Sequence, residues 1–189
     1  MKLMNKVTED IEETIIKQSD IILKGGRCIK IGETFKKSDI AGIVLKSRKI
    51  ISLKFHQSPF SESQLTDYPS SRFIEDIDKA KQDMEGFENT NILALSCYES
   101  GLSILDRLGE NEYIPSVGEL LEAFSEFNRI NQIRKALGLE PLPINYYYWS
   151  STIRNEKSMW VVGSDGHTLW CGWDYCYGDR YYVLAFLKE

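Results

Sequence analysis

Histidine and cysteine are scarce in this chain, and their scarcity limits the chemistry open to it. Two His, His56 and His167, and four Cys, at positions 28, 97, 171 and 176, occur among the 189 residues. The cysteine spacing matches neither a disulfide framework nor a zinc ribbon, so we expect free thiols. The two His are far apart in sequence, which argues against a hydrolytic centre. We therefore expect no metal site and no cofactor.

A basic excess and long apolar segments are missing as well. Lys and Arg number 23 against 28 Asp and Glu, which gives a net charge of −5 and an isoelectric point near 5.2. Proteins that bind nucleic-acid phosphates usually need a basic face, so we expect no nucleic-acid partner. No apolar run approaches the roughly 20 residues of a membrane helix, so we expect no membrane insertion. The opening MKLMNKVTEDIEETIIKQ carries acids where a signal peptide needs an apolar core, so no secretion signal is predicted.

Aromatic residues are sparse in the first three quarters of the chain and abundant in the last. Of 22 Phe, Trp and Tyr residues, 12 lie from Tyr146 onward, and these include all four Trp, at 149, 160, 170 and 173. The stretch WCGWDYCYGDRYY, residues 170–182, is especially rich in them. Exposed aromatic clusters on soluble proteins usually mark interaction sites. The composition therefore favours a binding function for the C-terminal quarter.

The first half of the chain predicts short strands followed by a loop. RCIKIGETF (27–35), IAGIVLKS (40–47) and KIISLKF (49–55) alternate or run apolar and contain many β-branched residues. Residues 57–71 are polar and include two Pro, which predicts a loop.

Helical patterns follow the loop. Residues 72–84 place Phe73, Ile77 and Ala80 on one helical face, and residues 89–105 carry a second apolar stripe. Both segments are therefore predicted to be amphipathic helices.

A capping box marks the start of the next helix. Ser116 follows Pro115 and precedes Glu119 by three positions, so each side chain can satisfy a backbone amide of the other. The apolar stripe of this helix and of the helical piece after it comprises Leu120, Leu121, Phe124, Phe127, Ile130, Ile133 and Leu137. Glu119, Glu122 and Glu126 are expected to form a solvated helix face and not a catalytic acid pair, because no His accompanies them.

The chain ends in predicted strands. They are YYYWSST (146–152), SMWVVGSDGHTLW (158–170) and YYVLAFLKE (181–189), with a turn at Ser164-Asp165-Gly166. Residues 182–187 are apolar and are expected to form a buried strand. Strands, then helices, then strands predict an α+β fold with an antiparallel sheet.

Five segments carry a family resemblance: GFENT (86–90), YIPSVGELLEAFSEFNRIN (113–131), YYWSST (147–152), MWVVGSDG (159–166) and YVLAFL (182–187). In this order they resemble the Lcl C-terminal-like family of C-type-lectin-fold domains. The nearest branch in appearance contains variable proteins of gut bacteria and phages that are served by diversity-generating retroelements. The resemblance implies the C-type lectin fold, of the branch that includes formylglycine-generating enzymes, with two main helices packed on a small antiparallel sheet.

The resemblance divides the chain in two. Residues 7–18, VTEDIEETIIKQ, place apolar side chains at helical spacing. We therefore expect an N-terminal helix in residues 1–20 and a C-type-lectin-fold ligand-binding domain in residues 21–189. Related proteins often trimerise, so a homo-oligomer is possible, and this helix could contribute to it.

The resemblance also implies that residues near 163–181 lie on the exposed face of the sheet and bind the ligand. Tyr and Trp supply large, rigid contact area with a polar handle, and charged residues can add contacts at the rim. The predicted direct contacts are Trp170, Trp173, Asp174, Tyr175, Tyr177, Asp179 and Arg180, with Asp165 and His167 as second choices. Trp149 and Trp160 are expected in the core, and Tyr181 and Tyr182 are expected to pack.

Diversification would explain the unusual composition of this region. In these variable proteins, adenine-directed mutagenesis rewrites AAY codons, which can then encode most residue types but never Trp, Lys, Glu, Gln or Met. Residues 174–182, DYCYGDRYY, all belong to the reachable set. Trp170 and Trp173 do not, so they would be fixed anchors. A fixed binding face in the same fold is the alternative.

The partner implied by the resemblance is a protein or glycan receptor on another cell or particle. A binding protein on a virion or on a cell surface fits this function, and the sequence leaves its location open. Calcium-dependent sugar binding is not expected. Glu140-Pro141 is followed by Leu142, and Trp149 by Ser150-Ser151, where lectins of this fold place oxygen ligands for Ca²⁺.

One enzymatic alternative shares the broader fold. Formylglycine-generating enzymes carry a cysteine pair separated by four residues, with Tyr before the second Cys, and Cys171, Tyr175 and Cys176 reproduce that pattern. Two thiolates so placed can bind Cu(I) for an oxygen-dependent oxidation. However, the chain is much shorter than these enzymes, and GSDGHT stands where their glycine-rich, arginine-bearing lead-in belongs. We expect a binding protein and not an enzyme, with the copper-dependent oxidase as the alternative.

Overall fold

The computed structural model describes residues 21–24, 27–28, 37–59, 68–96, 105–165, 167–175 and 180–188. The helices in this part of the chain are α1 Ile77–Gln82, α2 Gly86–Ser96, α3 Val117–Ser125 and α4 Phe127–Ala136. The strands are β1 Ile21–Leu23, β2 Arg27–Cys28, β3 Ile40–Val44, β4 Ile50–Pro59, β5 Glu112–Tyr113, β6 Tyr146–Asn155, β7 Ser158–Ser164, β8 Leu169–Tyr175 and β9 Arg180–Leu187. The predicted α+β class is confirmed. None of the described helices combines the length and apolar character needed to cross a bilayer.

The described strands form one sheet. Its order is β2-β1-β3-β4-β9-β6-β7-β8, and β5 also pairs with β9. Neighbouring strands are antiparallel except β6 and β9, which are parallel. Strand β9 therefore lies inside the sheet, whereas β8 lies at its edge and pairs with β7 alone among the described strands. This edge position leaves the side chains of β8 more exposed than those of its neighbour β7.

Each face of the sheet supports a hydrophobic core. One core, on the side that we call the α3 face, includes Tyr148, Trp160 and Val162 with Leu120 and Phe124 of α3. The other, on the side that we call the α2 face, includes Trp149, Val161 and Val183 with Leu93 of α2 and Tyr68. Successive strand residues point to opposite faces, so adjacent side chains such as Tyr148 and Trp149 enter different cores. The predicted core positions of Trp149 and Trp160 are confirmed.

The helices are tied to the sheet at the buried carboxylate of Asp83. Its Oδ2 accepts hydrogen bonds from Asn89 Nδ2 at 2.9 Å and from Thr152 Oγ1 at 2.7 Å. Its Oδ1 accepts from the backbone N–H of Glu85 at 3.0 Å, and its main-chain carbonyl accepts from Ser116 Oγ at 2.7 Å. Buried polar groups rigidify a structure when they are all hydrogen-bonded. This network joins the chain just after α1 to α2, to the start of α3 and to β6.

The predicted capping box is confirmed, but the predicted solvation is wrong for Glu119 and Glu126, whereas Glu122 is half-buried. Glu119 Oε2 accepts from the Ser116 backbone N–H at 2.9 Å, and the Glu119 carboxylate also pairs with Lys49. Glu126 pairs with Arg129 Nη1 at 2.7 Å. Glu119 is 1% exposed and Glu126 is 7% exposed. Because caps and ion pairs satisfy these carboxylates inside the protein, their charge does not require a solvated face.

Two helix boundaries differ from the predicted ones. The helix predicted at 72–84 spans only Ile77–Gln82, because Asp76 caps it and accepts from Lys79 N at 2.9 Å. Before the cap, Ile74 N donates to Ile153 O at 2.9 Å, which holds that segment in an extended form. The helix predicted at 89–105 begins earlier, at Gly86, and its described part ends at Ser96.

Strand β4 is longer than predicted, and β9 is confirmed. Residues 57–59, which were predicted to begin a loop, continue β4 because they pair with β9 at Arg180–Tyr182. The predicted terminal strand is β9, where Val183–Phe186 are fully buried. The predicted N-terminal helix, residues 1–20, lies outside the described residues, as does most of the strand predicted at 27–35.

Thr152→Val should test the Asp83 network. The Thr152 hydroxyl donates to Asp83 and accepts from the Val117 backbone N–H at 3.0 Å, so valine leaves two buried polar groups without this partner. We expect the free energy of unfolding to fall by about 1 to 3 kcal/mol. Urea denaturation monitored by tryptophan fluorescence would measure it.

The matched control is Thr168→Val, the same change at an exposed position. It should alter the free energy of unfolding by no more than about 0.5 kcal/mol. Equal effects of the two substitutions would contradict the role given to the network.

Candidate binding surface

The edge strand β8 carries most of the described residues that were predicted to contact a ligand. Its neighbour β7 is buried along its whole length, whereas the residues of β8 are exposed or half-buried. Trp173 is 44% exposed and Tyr175 is 46% exposed. Large aromatic side chains left in solvent on an edge strand are candidates for contact with a partner.

Strand alternation divides the predicted contacts between the two faces of the sheet. Trp173 lies opposite Trp160 in the register, so Trp173 and Tyr175 are on the α3 face. Trp170 lies opposite Gly163, so Trp170 and Asp174 are on the α2 face. The structure therefore does not gather these residues on one continuous face, as the sequence had suggested. Both sides of the edge are candidate surfaces.

On the α3 face, the exposed part of β8 is an aromatic pair with a cation. The rings of Trp173 and Tyr175 meet edge to face, with centroids 5.8 Å apart and planes at 89°. The guanidinium of Arg154, from β6, lies 4.2 Å from the Trp173 ring centroid. This distance is well within the range of a cation–π interaction. The indole of Trp173 is therefore held in place while much of it stays accessible.

On the α2 face lies a group that we call the aromatic cluster: Tyr147, Trp149, Trp170 and Tyr181. The Tyr181 centroid lies 4.9 Å from that of Trp149 and 5.5 Å from that of Tyr147, and the Tyr147 and Trp170 centroids lie 6.2 Å apart. Tyr147 is 39% exposed, whereas Trp149 is fully buried. The cluster thus runs from the core to the surface.

Asp174 connects the edge strand to this cluster. Its Oδ2 accepts a hydrogen bond from the Tyr181 hydroxyl at 2.6 Å, although β6 and β7 separate β8 from β9 in the sheet. Its Oδ1 accepts from the Tyr175 backbone N–H at 2.7 Å. Asp174 is half-buried. A carboxylate held in this way, and still partly exposed, can accept further hydrogen bonds or attract a cation.

Gly163 makes room for Trp170. A Cβ at Gly163 would lie 2.8 Å from Cε3 of the Trp170 indole and 3.0 Å from Cδ1 of Tyr147. Any larger residue would push both rings outward. The indole thus lies against the backbone of β7 as part of the aromatic cluster.

The turn between β7 and β8 separates Asp165 and His167 from the other predicted contacts. Asp165 Oδ1 accepts from the backbone N–H groups of Thr168 at 2.6 Å and of His167 at 2.8 Å, and these bonds lower the pKa of Asp165. Asp165 therefore shapes the predicted turn. The exposed His167, with Leu169, lines a cleft of about 480 Å³ that Lys46 and Arg129 also line. His167 and Tyr175 lie at opposite ends of β8.

Cys171 lies on the α3 face, half-buried against the hydrophobic core. Burial raises the pKa of its thiol, and Lys81 lowers it to a smaller extent. A raised pKa favours the neutral thiol, which suits a small packing residue better than a metal-binding thiolate. Cys176 lies outside the described residues, as do Tyr177 and Asp179; Arg180 begins β9, but its side chain is not described. Within the described residues, His, Cys, Asp and Glu side chains form no group of three that could hold a metal.

Three residues of these surfaces were not predicted as contacts. Tyr147 belongs to a segment that the family resemblance marked as structural. Tyr181 was expected only to pack. Tyr181 and Tyr182 are both half-buried and do pack against the hydrophobic cores. The alternation of the YYYW run, which points Tyr147 and Tyr148 to opposite faces, could have singled out Tyr147. No local signal marks Arg154, because its contact with Trp173 depends on how the strands pair.

Comparison with known proteins identifies a neighbour in fold. A fimbrial protein from Bacteroides ovatus, known from its crystal structure, superposes with a TM-score of 0.65 at 18% sequence identity. The match covers 91% of this chain and 48% of the fimbrial protein, so the chain spans about half the length of that neighbour. At this identity the similarity shows the fold alone. No protein-family model and no curated protein matches the chain.

Tyr175→Ala should show that the edge aromatics are dispensable for folding. Tyr175 is 46% exposed and lies outside both cores, so we expect the free energy of unfolding to change by about 0.5 kcal/mol or less. Tyr148→Ala removes a fully buried ring, and we expect it to cost about 3 to 5 kcal/mol. Chemical denaturation of the two variants would measure both values. A loss at Tyr175 that rivals the loss at Tyr148 would place Tyr175 in the core.

Proposed function

We propose that this chain is a ligand-binding domain of C-type-lectin type that contacts its receptor through both sides of the edge strand β8. The observation that carries the proposal is the exposure of Trp173 and Tyr175 at the edge of a sheet whose neighbouring strand is buried. These aromatics contribute little to the core, so their retention in solvent is best explained by a partner. The partner is a protein or glycan receptor on another cell or particle.

The composition of the surface supports binding over catalysis. The described part of β8 and the aromatic cluster offer rigid rings and one carboxylate, and Arg154 of β6 adds a guanidinium over Trp173. This composition is typical of a recognition surface. The fold similarity to a fimbrial protein agrees with a non-catalytic role. The copper-dependent oxidase would need Cys171 as a thiolate, and burial raises the pKa of that thiol. We therefore favour binding.

We further propose that this surface belongs to a retroelement-diversified variable protein. The support is the family resemblance, together with the half-buried to exposed positions of the reachable residues Leu169, Cys171, Asp174 and Tyr175 along β8. An edge strand tolerates such replacement because its side chains are less buried than those of the neighbouring strand β7. Trp170 and Trp173 would be invariant anchors within it.

Population sequencing should reveal this diversification. In the DNA that encodes residues 155–189 in the source population, we expect changes concentrated at adenine-derived codons of β8 and its flanking turns. The codons of Trp170, Trp173 and residues 183–187 should stay constant, because they are anchors or core. The DNA for residues 113–154 serves as the internal control. Equal variation in both segments, or none in either, would refute diversification and leave a binder with a fixed face.

Binding itself can be measured with the labelled protein and intact cells from the source community. We expect saturable binding by flow cytometry, reduced at least tenfold in a Trp173→Ser, Tyr175→Ser double variant that still folds. Leu95→Ser is the control, because Leu95 is 80% exposed on α2 and lies outside both surfaces. Undiminished binding by the double variant would exclude the α3-face side of β8 from the interface, and failure of the native protein to bind would count against the function.

A further inference from the structure

Gly172 leaves an unfilled position on the α2 face of β8. A Cβ at this residue would meet no atom within 4 Å, whereas a Cβ at Gly163 would clash with an aromatic ring. A glycine in a strand often marks a site where a ligand or another backbone approaches closely. Trp170 and Asp174 flank Gly172 on the same face, each about 7 Å away along the strand. We call this gap, with its two flanking side chains and the buried Val161 opposite it, the Gly172 notch.

The walls of the notch have different chemistry. On one side lies Trp170, whose indole packs over Gly163 beside the ring of Tyr147. On the other side lies the carboxylate of Asp174, held by the Tyr181 hydroxyl and by the Tyr175 backbone N–H. A carboxylate oxygen has two lone pairs, so each oxygen that accepts one of these bonds retains a second acceptor site. The notch therefore joins an aromatic surface to an oriented negative charge.

This combination matches a cation. An aromatic face attracts an ammonium or guanidinium group, and a carboxylate adds a charge-assisted hydrogen bond. The other side of the same strand already shows such a pairing, because Trp173 holds the guanidinium of Arg154 at 4.2 Å. The net charge of −5 also favours the approach of a basic segment.

We propose that the Gly172 notch binds an arginine or lysine side chain of a protein partner. The inference rests on the proposed binding function and specifies its ligand chemistry. The notch is one side chain wide, because Gly172 is its only residue without a side chain and its neighbours on that face are Trp170 and Asp174. A single extended basic side chain fills such a gap, with its stem along the indole and its head at Asp174.

The test is a titration of the full chain, labelled with ¹⁵N, with three small probes. Arginine amide supplies the guanidinium, citrulline amide is a neutral side chain of nearly the same shape, and methyl glucoside represents a saccharide. We expect arginine amide to shift the indole N–H resonance of Trp170, assigned through Trp170→Phe, with millimolar affinity. Citrulline amide should bind at least tenfold more weakly, and methyl glucoside should leave the resonance unmoved.

Two variants localise the binding. Gly172→Val fills the notch without a clash, and Asp174→Asn removes the charge with little change in shape. Each substitution should weaken the binding of arginine amide at least tenfold, while the melting temperature shows that the variant is folded. Asp78→Asn is the charge-matched control on α1, where the side chain of Asp78 is 79% exposed, and it should bind as the native protein does. If Gly172→Val fails to fold, Asp174→Asn alone decides.

Equal shifts with arginine amide and citrulline amide would overturn the proposal, as would a shift caused by methyl glucoside. Native-like binding of arginine amide by either folded variant, Gly172→Val or Asp174→Asn, would overturn it as well. A shift confined to the Trp173 indole would move the cation to the other face and also reject the notch. None of these outcomes bears on cell binding by the native protein, so loss of the notch and loss of the proposed function are distinguishable.

Discussion

The packing of the helices on the sheet depends on the hydrogen bonds of the buried Asp83. It lies just after α1, accepts hydrogen bonds from α2 and β6, and has a backbone carbonyl that accepts from the N-cap Ser116 of α3. A buried charge is tolerated only when its partners are present, so these elements must assemble together. This contact holds β6, β7 pairs with β6, and β8 pairs with β7, so the edge strand is positioned through that chain of contacts.

The edge position of β8 explains its composition. A strand inside a two-faced sheet needs apolar side chains on both sides, as β7 has, whereas an edge strand without a full cover can carry charge, aromatic rings and glycine. The two sides of β8 then acquire different surroundings. Arg154 lies over Trp173 on the α3 face, and the aromatic cluster with Asp174 lies on the α2 face. One short strand thereby presents two chemically different surfaces.

Local sequence patterns were sufficient to predict the structure where neighbouring residues determine it. The capping box at Ser116 and Glu119, the turn at Asp165 and the strand of Val183–Phe186 depend on short spacings, and all three are confirmed. Local patterns failed to predict the structure where a pairing partner elsewhere in the fold determines it. Residues 57–59 are polar, yet they form a strand because β9 supplies the hydrogen bonds. Glu119 and Glu126 look solvated in sequence, yet Lys49 and Arg129 allow their burial.

The sequence by itself determined the α+β class, the concentration of aromatic residues near the C-terminus and the residue types that β8 can expose. It determined these because composition and hydrophobic periodicity are local properties of the chain. Only the tertiary structure decided which of those residues share a surface. Strand order puts β8 at the edge, register sends Trp173 and Trp170 to opposite faces, and the approach of β9 brings Tyr181 to Asp174. Such contacts join residues through pairing partners elsewhere in the chain, so no local pattern can encode them.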